Sequence, residues 1–494
     1  MADIGNRSSE GNGSSEPTAR SALGLAAAIR RREFTATQVL EAHIEVLLRA
    51  GAQVNAIAID SFAEARAGAR ALDQEISDAA LRRRPLDFLP PLAGVPFTVQ
   101  DSIALRGMPN SAGVSARRDH RASSSATSVQ RLTDAGAIPV GVTNTSELAL
   151  WMESENPLYG RTSNPYDRTR TAGGAAGGEG AAVGCGGSPF GLGADSSGSI
   201  RIPALFCGVF GHKPSPGLIP TTGVWPAPAG EARRLLTVGL LARRAEDLLP
   251  LLHIMAGPDG VDPYASPMDL AQPASVSLDG LSVTVVDDSS LRPMARDLRD
   301  ARERAAGALA GAGARVRTVS LKSWWTAFPP LLAALQNTGT NATRVDARLR
   351  EAGERCGPLS LLAGRGRHTI PTRLATGLET LPSSGATRQR LLARAHELAR
   401  ELLDAIGDGV LLHPAHPTPA PRHRRTYARP WLLTPAAIFN LAGVPVTEVP
   451  LGLSPAGLPV GIQVAAAPSA DHLTIAVALE LEAVFGGWRP PTAF

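Results

Sequence analysis

Apolar residues recur at helical spacing near the start of the chain: Leu25, Ala28 and Ile29, then Val39, Leu40, His43, Ile44 and Leu47. That spacing predicts two helices within residues 21–50. The pattern breaks around Phe34–Ala36, where Thr35 or Thr37 can cap the second helix. A third helix, rich in Ala, Glu and Arg, is predicted over Ala63–Ala80, and LRRRPLDFLPPLAG (81–94) reads as a Pro-rich connector. The pattern then shortens. VPFTVQD (95–101) and AIPVGVTN (137–144) are strand candidates, with a helix over Thr127–Gly136 between them. Apolar strand-and-helix units follow around 280–320 and 385–412. LAGVPVTEVPLGL (441–453) and LPVGIQVAA (458–466) read as paired strands before a closing amphipathic helix, Asp471–Phe485. Strands alternating with helices predict one α/β unit rather than a string of domains.

Composition narrows the function classes. Hydrophobic residues make up 44% of 494 residues, which excludes a mainly disordered chain. The formal charge is only +4 and the arginines are interspersed with acids, so no nucleic-acid footprint is expected. Lysine is nearly absent, occurring only at positions 213 and 322. Three widely spaced cysteines, Cys185, Cys207 and Cys356, form no CxxC pair and suit a reducing compartment. Residues 1–20 are polar and Gly/Ser-rich without an apolar core, and read as a disordered tail rather than a secretory signal. No apolar run reaches about eighteen residues, so no membrane span is expected. Cytoplasmic residence follows as the expectation.

The chemistry concentrates in AGGAAGGEGAAVGCGGSPFGLGADSSGSIRIPALFCGVFGHKPSPG (172–217). Phosphate binding is disfavoured there, because the run has neither the Lys of a P-loop nor G-x-G-x-x-G spacing. Together with GVPFTVQD (94–101), GMPNSAG (107–113), TNTSELALWMESENPLYGRTSNPYD (143–167), HPAHPTPAPRH (413–423) and GLPVGIQVAA (457–466), the run resembles the amidase signature family. Within that family the pattern is most similar to the fatty-acid amide hydrolase 2-like amidases. The resemblance spans residues 21–494, with the signature core at about 94–217. It implies an α/β amidase-signature fold, a central mixed β-sheet covered by helices, no cofactor, and a homodimer.

The resemblance also implies a mechanism: a Ser nucleophile attacks an amide carbonyl, a second Ser after a cis peptide bond relays protons, and a neutral Lys is the base. The nucleophile position falls on Ser199, and the oxyanion turn on Ser196, Ser197, Gly198 and Ser199. The relay position falls on Ala175, in GGAAGGEG where the family reads GGSSGGEG. The Lys position falls on Gln100, in VPFTVQD where the family reads VPFTVKD. Ala175 has no hydroxyl, and Gln100 can hydrogen-bond but cannot accept a proton near neutral pH. Ala176 and Ser197 also depart from the family pattern, replacing Ser and Gly. Catalytic groups that act as a unit lose roughly 10³- to 10⁶-fold in rate when broken.

Ser199 then reads either as a surviving nucleophile or as an inert turn serine. Asp195 and Arg201 read as braces of the Gly-rich turns. Trp151, Met152 and Tyr159 fall where the family lines its substrate pocket, with core packing as the alternative. His413, His416 and His423 lie in a Pro-rich segment without zinc-motif spacing, and no metal is expected. Arg365, Arg367 and Arg373 hint at a polar or anionic ligand. The expectation is an amidase fold repurposed for non-hydrolytic chemistry or binding of a small acyl or amide molecule. One alternative is a residual amidase or esterase using Ser199. The other is a non-catalytic role as the partner of an active relative.

Overall fold

The computed structural model describes residues 16–287, 294–336, 344–356, 367–379, 385–427 and 429–492. Its centre is an eleven-stranded mixed sheet. Across the sheet the strands run Ile57–Asp60, Ile138–Thr143, Pro96–Gln100, Phe190–Asp195, Thr237–Ala242, Phe210–Lys213, Val446–Leu453, Pro459–Ala466, Val410–His413, Ser282–Val286 and Arg315–Val319. Pro96–Gln100 pairs in parallel with both of its neighbours, while Phe190–Asp195 pairs antiparallel with Thr237–Ala242. The alternating late segments pair antiparallel, with Val446 opposite Ala465 and Val449 opposite Ile462. The mixed α/β fold expected from the sequence is the fold found.

Helices cover this sheet because their apolar stripes need it. Leu25 and Ile29 of Ala22–Arg30, and Val39, Leu40, Ile44 and Leu47 of Ala36–Val54, are buried in the main core. Thr35 caps the second helix: its hydroxyl accepts from Gln38 N, and the Gln38 side chain accepts from Thr35 N at 2.9 Å. Such reciprocal pairing satisfies two helix-end donors.

Order begins earlier than the polar composition suggested. Pro17–Ala19 forms a 3-10 turn, and Arg20 pairs with Glu33 at 2.6 Å. The physical reason is Arg243, whose buried guanidinium donates to the carbonyls of Thr18 and Arg20. A buried cation needs such acceptors, and this segment supplies them. Residues 1–15 lie outside the described residues.

Candidate active site

Strand Phe190–Asp195 delivers the chain into a tight turn, and helix Arg201–Cys207 follows. Asp195 organises that turn. Its fully buried carboxylate accepts from Gly198 N at 2.7 Å, Ile200 N at 3.0 Å and the Arg201 guanidinium at 3.1 and 3.0 Å. Burial alone would raise its pKa, but the charge and hydrogen bonds of Arg201 hold it well below the carboxylate range. Arg201 reaches on to Ala436 O, Gln463 Oε1 and Asn440 Oδ1, so the turn is braced from three sides as expected of a structural pair. Gly198 has φ +105°, and a Cβ there would collide with Ala436 Cβ. Only glycine fits both constraints.

The turn leaves the N–H groups of Ser196, Ser197 and Ser199 without a hydrogen-bond acceptor among the described residues. Ser199 is 6% exposed, and its hydroxyl has no partner among those residues either. A row of unengaged N–H groups beside a hydroxyl can bind a carbonyl oxygen or an oxyanion.

Gln100, Ala175 and Ser199 are brought together by short links. Gln100 is wholly buried. Its Oε1 accepts from Ala194 N at 2.9 Å, and its Nε2 donates to Thr145 Oγ1 at 2.9 Å. Thr145 Oγ1 donates in turn to Ala175 O at 3.0 Å, which also accepts from Ser154 Oγ at 2.9 Å. The Gly174–Ala175 peptide bond is cis. Ala176 N donates to Ser199 O at 3.1 Å, joining the loop after the cis bond to the Ser196–Ser199 turn. The Ala176 side chain packs in an apolar cluster with Val183, Ile200, Ala204 and Leu241, where a hydroxyl would find apolar neighbours.

A cavity of about 480 Å³ opens beside this turn. Ala194, Ser196 and Ser197 line one part of it, with Trp151, Trp225, Leu331, Leu335, Leu374 and Leu433 among the apolar walls. Trp151 is held at the cavity by its indole N–H donating to Thr426 Oγ1 at 2.9 Å. Met152 does not line the cavity; it is fully buried in the main core, the packing alternative. Tyr159 is not a lining residue either. The Asn156 side chain accepts from Leu158 N and Tyr159 N and fixes that turn, so the phenol lies 3.3 Å from Ser111 Oγ, which itself donates to Asp101. Gly198 and Ser199 are not among the residues that line the cavity.

Neither of the two described arginines expected to mark an anionic ligand lines the cavity. Arg367 is exposed, Arg373 is buried away from the cavity lining, and Arg365 lies outside the described residues. His413, His416 and His423 each bond a backbone carbonyl: Pro414 O, Thr418 O and Arg168 O. Among the described residues no three His, Cys, Asp or Glu side chains cluster as metal ligands. No helix among them is long and apolar enough to cross a membrane.

The sequence pattern of the Amidase family matches residues 38–475. The chain belongs to that family. It is 39% identical to human fatty-acid amide hydrolase 2 over 488 residues, covering 96% of this chain and 90% of the relative. It is 40% identical to fatty-acid amide hydrolase 2-B of Danio rerio over 485 residues, covering 95% and 90%. A solved structure of 6-aminohexanoate cyclic dimer hydrolase shares the fold, with a TM-score of 0.80, 24% identity and coverage of 96% and 99%.

In this Amidase-family chain, several site residues carried no signal of their own. Thr145 and Ser154 become important only because their hydroxyls meet Ala175 O. Glu179, inside GGAAGGEG, is pushed up to about 8 by burial, with the Thr98 and Thr143 hydroxyls opposing that rise as they donate to it. Lys213 is wholly buried and pushed down to about 7, first by burial and then by Arg201. Its amine donates to Pro214 O at 3.0 Å and makes no hydrogen bond to Ser199.

Proposed function

We propose that this amidase-fold protein has lost the hydrolytic triad of its relatives and uses the old acyl or amide pocket for non-hydrolytic chemistry or binding of a small molecule. One observation carries the reading. The Gln100 carboxamide is committed at both ends, to Ala194 N and Thr145 Oγ1, and the peptide it serves leads into Ala175, which has no hydroxyl. An ammonium at position 100 could donate to Thr145 but accept nothing from Ala194. The hydrogen bonds between these strands thus close on Gln100, with no base joined to Ser199 among the described residues. The ligand is an acyl or amide compound, in line with the name of the human relative, and the protein acts as a cytoplasmic homodimer.

A serine-directed fluorophosphonate, applied at neutral and alkaline pH, tests this. No labelling that depends on Ser199 is expected, and native mass spectrometry should detect a co-purifying small molecule. Labelling abolished by Ser199→Ala, together with amide turnover, would overturn the reading. It would favour the second one, a residual acyl transfer to Ser199, for which the unengaged N–H groups of Ser196, Ser197 and Ser199 are the support.

A further inference from the structure

The cavity is mostly apolar, with Arg348, Glu379, Gln336 and Ser102 among its few polar lining residues besides Ser196 and Ser197. Arg348, on helix Val345–Glu351, lines it together with Leu331, Leu335, Leu374 and Leu433. Its Nε is buried without a partner, and no hydrogen bond or ion pair is made by its guanidinium among the described residues. The two carboxylates nearest in charge are engaged elsewhere. Glu379 accepts from Val345 N at 2.8 Å at the start of the same helix, and Glu351 accepts from the Trp225 indole at 3.1 Å. Desolvation brings the Arg348 pKa down to about 10, which leaves the group charged at neutral pH. A charged guanidinium set among apolar side chains, with Glu379 and Glu351 near in charge but bound elsewhere, lacks among the described residues a hydrogen-bonded counter-ion that an anion would supply. A guanidinium offers the planar fork that a carboxylate fits.

We propose that the cavity takes an amphipathic carboxylate, whose anionic end pairs with Arg348 while its apolar body lies along Leu331, Leu335, Leu374 and Leu433 towards the Ser196–Ser197 edge of the turn. This inference rests on the pocket being in use for ligand recognition, as proposed above. It goes further in assigning the charge of the ligand and the residue that reads it. The volume lies within the roughly 300–1,000 Å³ usual for small-molecule sites.

Isothermal titration of the full chain with dodecanoate and with uncharged dodecanamide tests the assignment. Dodecanoate should bind roughly tenfold or more tightly than the amide. Arg348→Gln should abolish that preference while leaving amide binding in place, and Arg348→Lys should retain part of it. Equal binding of the two by the unaltered protein would overturn the proposal. So would no binding of either, or a preference that survives Arg348→Gln in a folded variant. Ammonia release from dodecanamide is read in parallel. Its appearance would sink the non-hydrolytic reading without touching the charge preference, so the two failures are separable.

Discussion

The side chain of Gln100 and the backbone of Ala194 are joined by a 2.9 Å hydrogen bond that ties strand Pro96–Gln100 to the end of the strand leading into the Ser196–Ser199 turn. Because Gln100 is wholly buried, this bond and the one to Thr145 have no water to replace them. Gln100→Leu leaves Ala194 N without its acceptor, while the Thr145 hydroxyl keeps its bond to Ala175 O. It should lower stability by about 1–3 kcal/mol, the cost of one unsatisfied buried group. Urea unfolding measures this, and a loss below about 0.5 kcal/mol would show that the carboxamide is not a structural replacement.

Reversal of the departures gives the opposite readout. Gln100→Lys alone should destabilise the chain, because Ala194 N loses its acceptor, and it should restore no hydrolysis because Ala175 still lacks a hydroxyl. The combination Gln100→Lys, Ala175→Ser, Ala176→Ser and Ser197→Gly supplies the groups that the family pattern has. Amide hydrolysis should rise by at least about 10³-fold over the unaltered chain, the lower end of what a broken catalytic unit costs. A folded quadruple variant without activity would show that the cavity walls, rather than the triad positions, have set the chemistry.

That Gln100 and Ala175 stand where the resemblance puts the Lys and the relay Ser is our reading of the motifs, whose flanking residues keep the register. What could not be read was that Thr145 and Ala194 receive the Gln100 amide. That meeting requires three strands to be neighbours, and strand order depends on long-range pairing. Helices Ala22–Arg30 and Ala36–Val54 were legible because their apolar spacing is local. Trp151 and Met152 show the limit of position-by-position transfer. The backbone just before them takes positive φ, 58° at Leu148 and 53° at Ala149, and of the adjacent pair only Trp151 lines the cavity. Arg348 was invisible because its helix carries no family motif and its significance lies in the apolar surface around it.

A pH-dependent contact holds the cavity wall. His368 Nδ1 lies 2.7 Å from Glu147 Oε1, with Glu354 Oε2 3.7 Å from its other nitrogen. It precedes helix Ile370–Glu379, which supplies Pro371, Leu374 and Ala375 to the lining. Burial disfavours the charged ring, but the hydrogen bond and charge of Glu147 outweigh it and raise the pKa. A raised folded-state value means that the stabilisation is complete below the unfolded pKa of about 6.5 and is lost as pH rises through the folded value. The melting-temperature gap between the unaltered chain and His368→Asn should therefore be widest near about pH 6 and narrow towards about pH 9. A gap independent of pH would exclude the ion pair as its source.

The strongest expected loss is at Arg201, whose guanidinium is fully buried against Asp195 and reaches Ala436, Asn440 and Gln463. Arg201→Met strands the Asp195 carboxylate in the interior, at a cost of about 3–5 kcal/mol by urea unfolding. Asp195 has its pKa lowered in the folded chain, so the stability it lends is present above the unfolded value of about 3.9 and disappears as pH falls through the folded one. Acid unfolding of the unaltered chain should thus include a component that Arg201→Met lacks, confined to the most acidic range. Since Asp195 also receives Gly198 N and Ile200 N, the same variant should loosen the turn that presents the Ser196, Ser197 and Ser199 N–H groups. Hydrogen exchange across residues 196–200 would reveal this, and unchanged protection there would mean that the turn holds its shape through Gly198 and Ala436 alone.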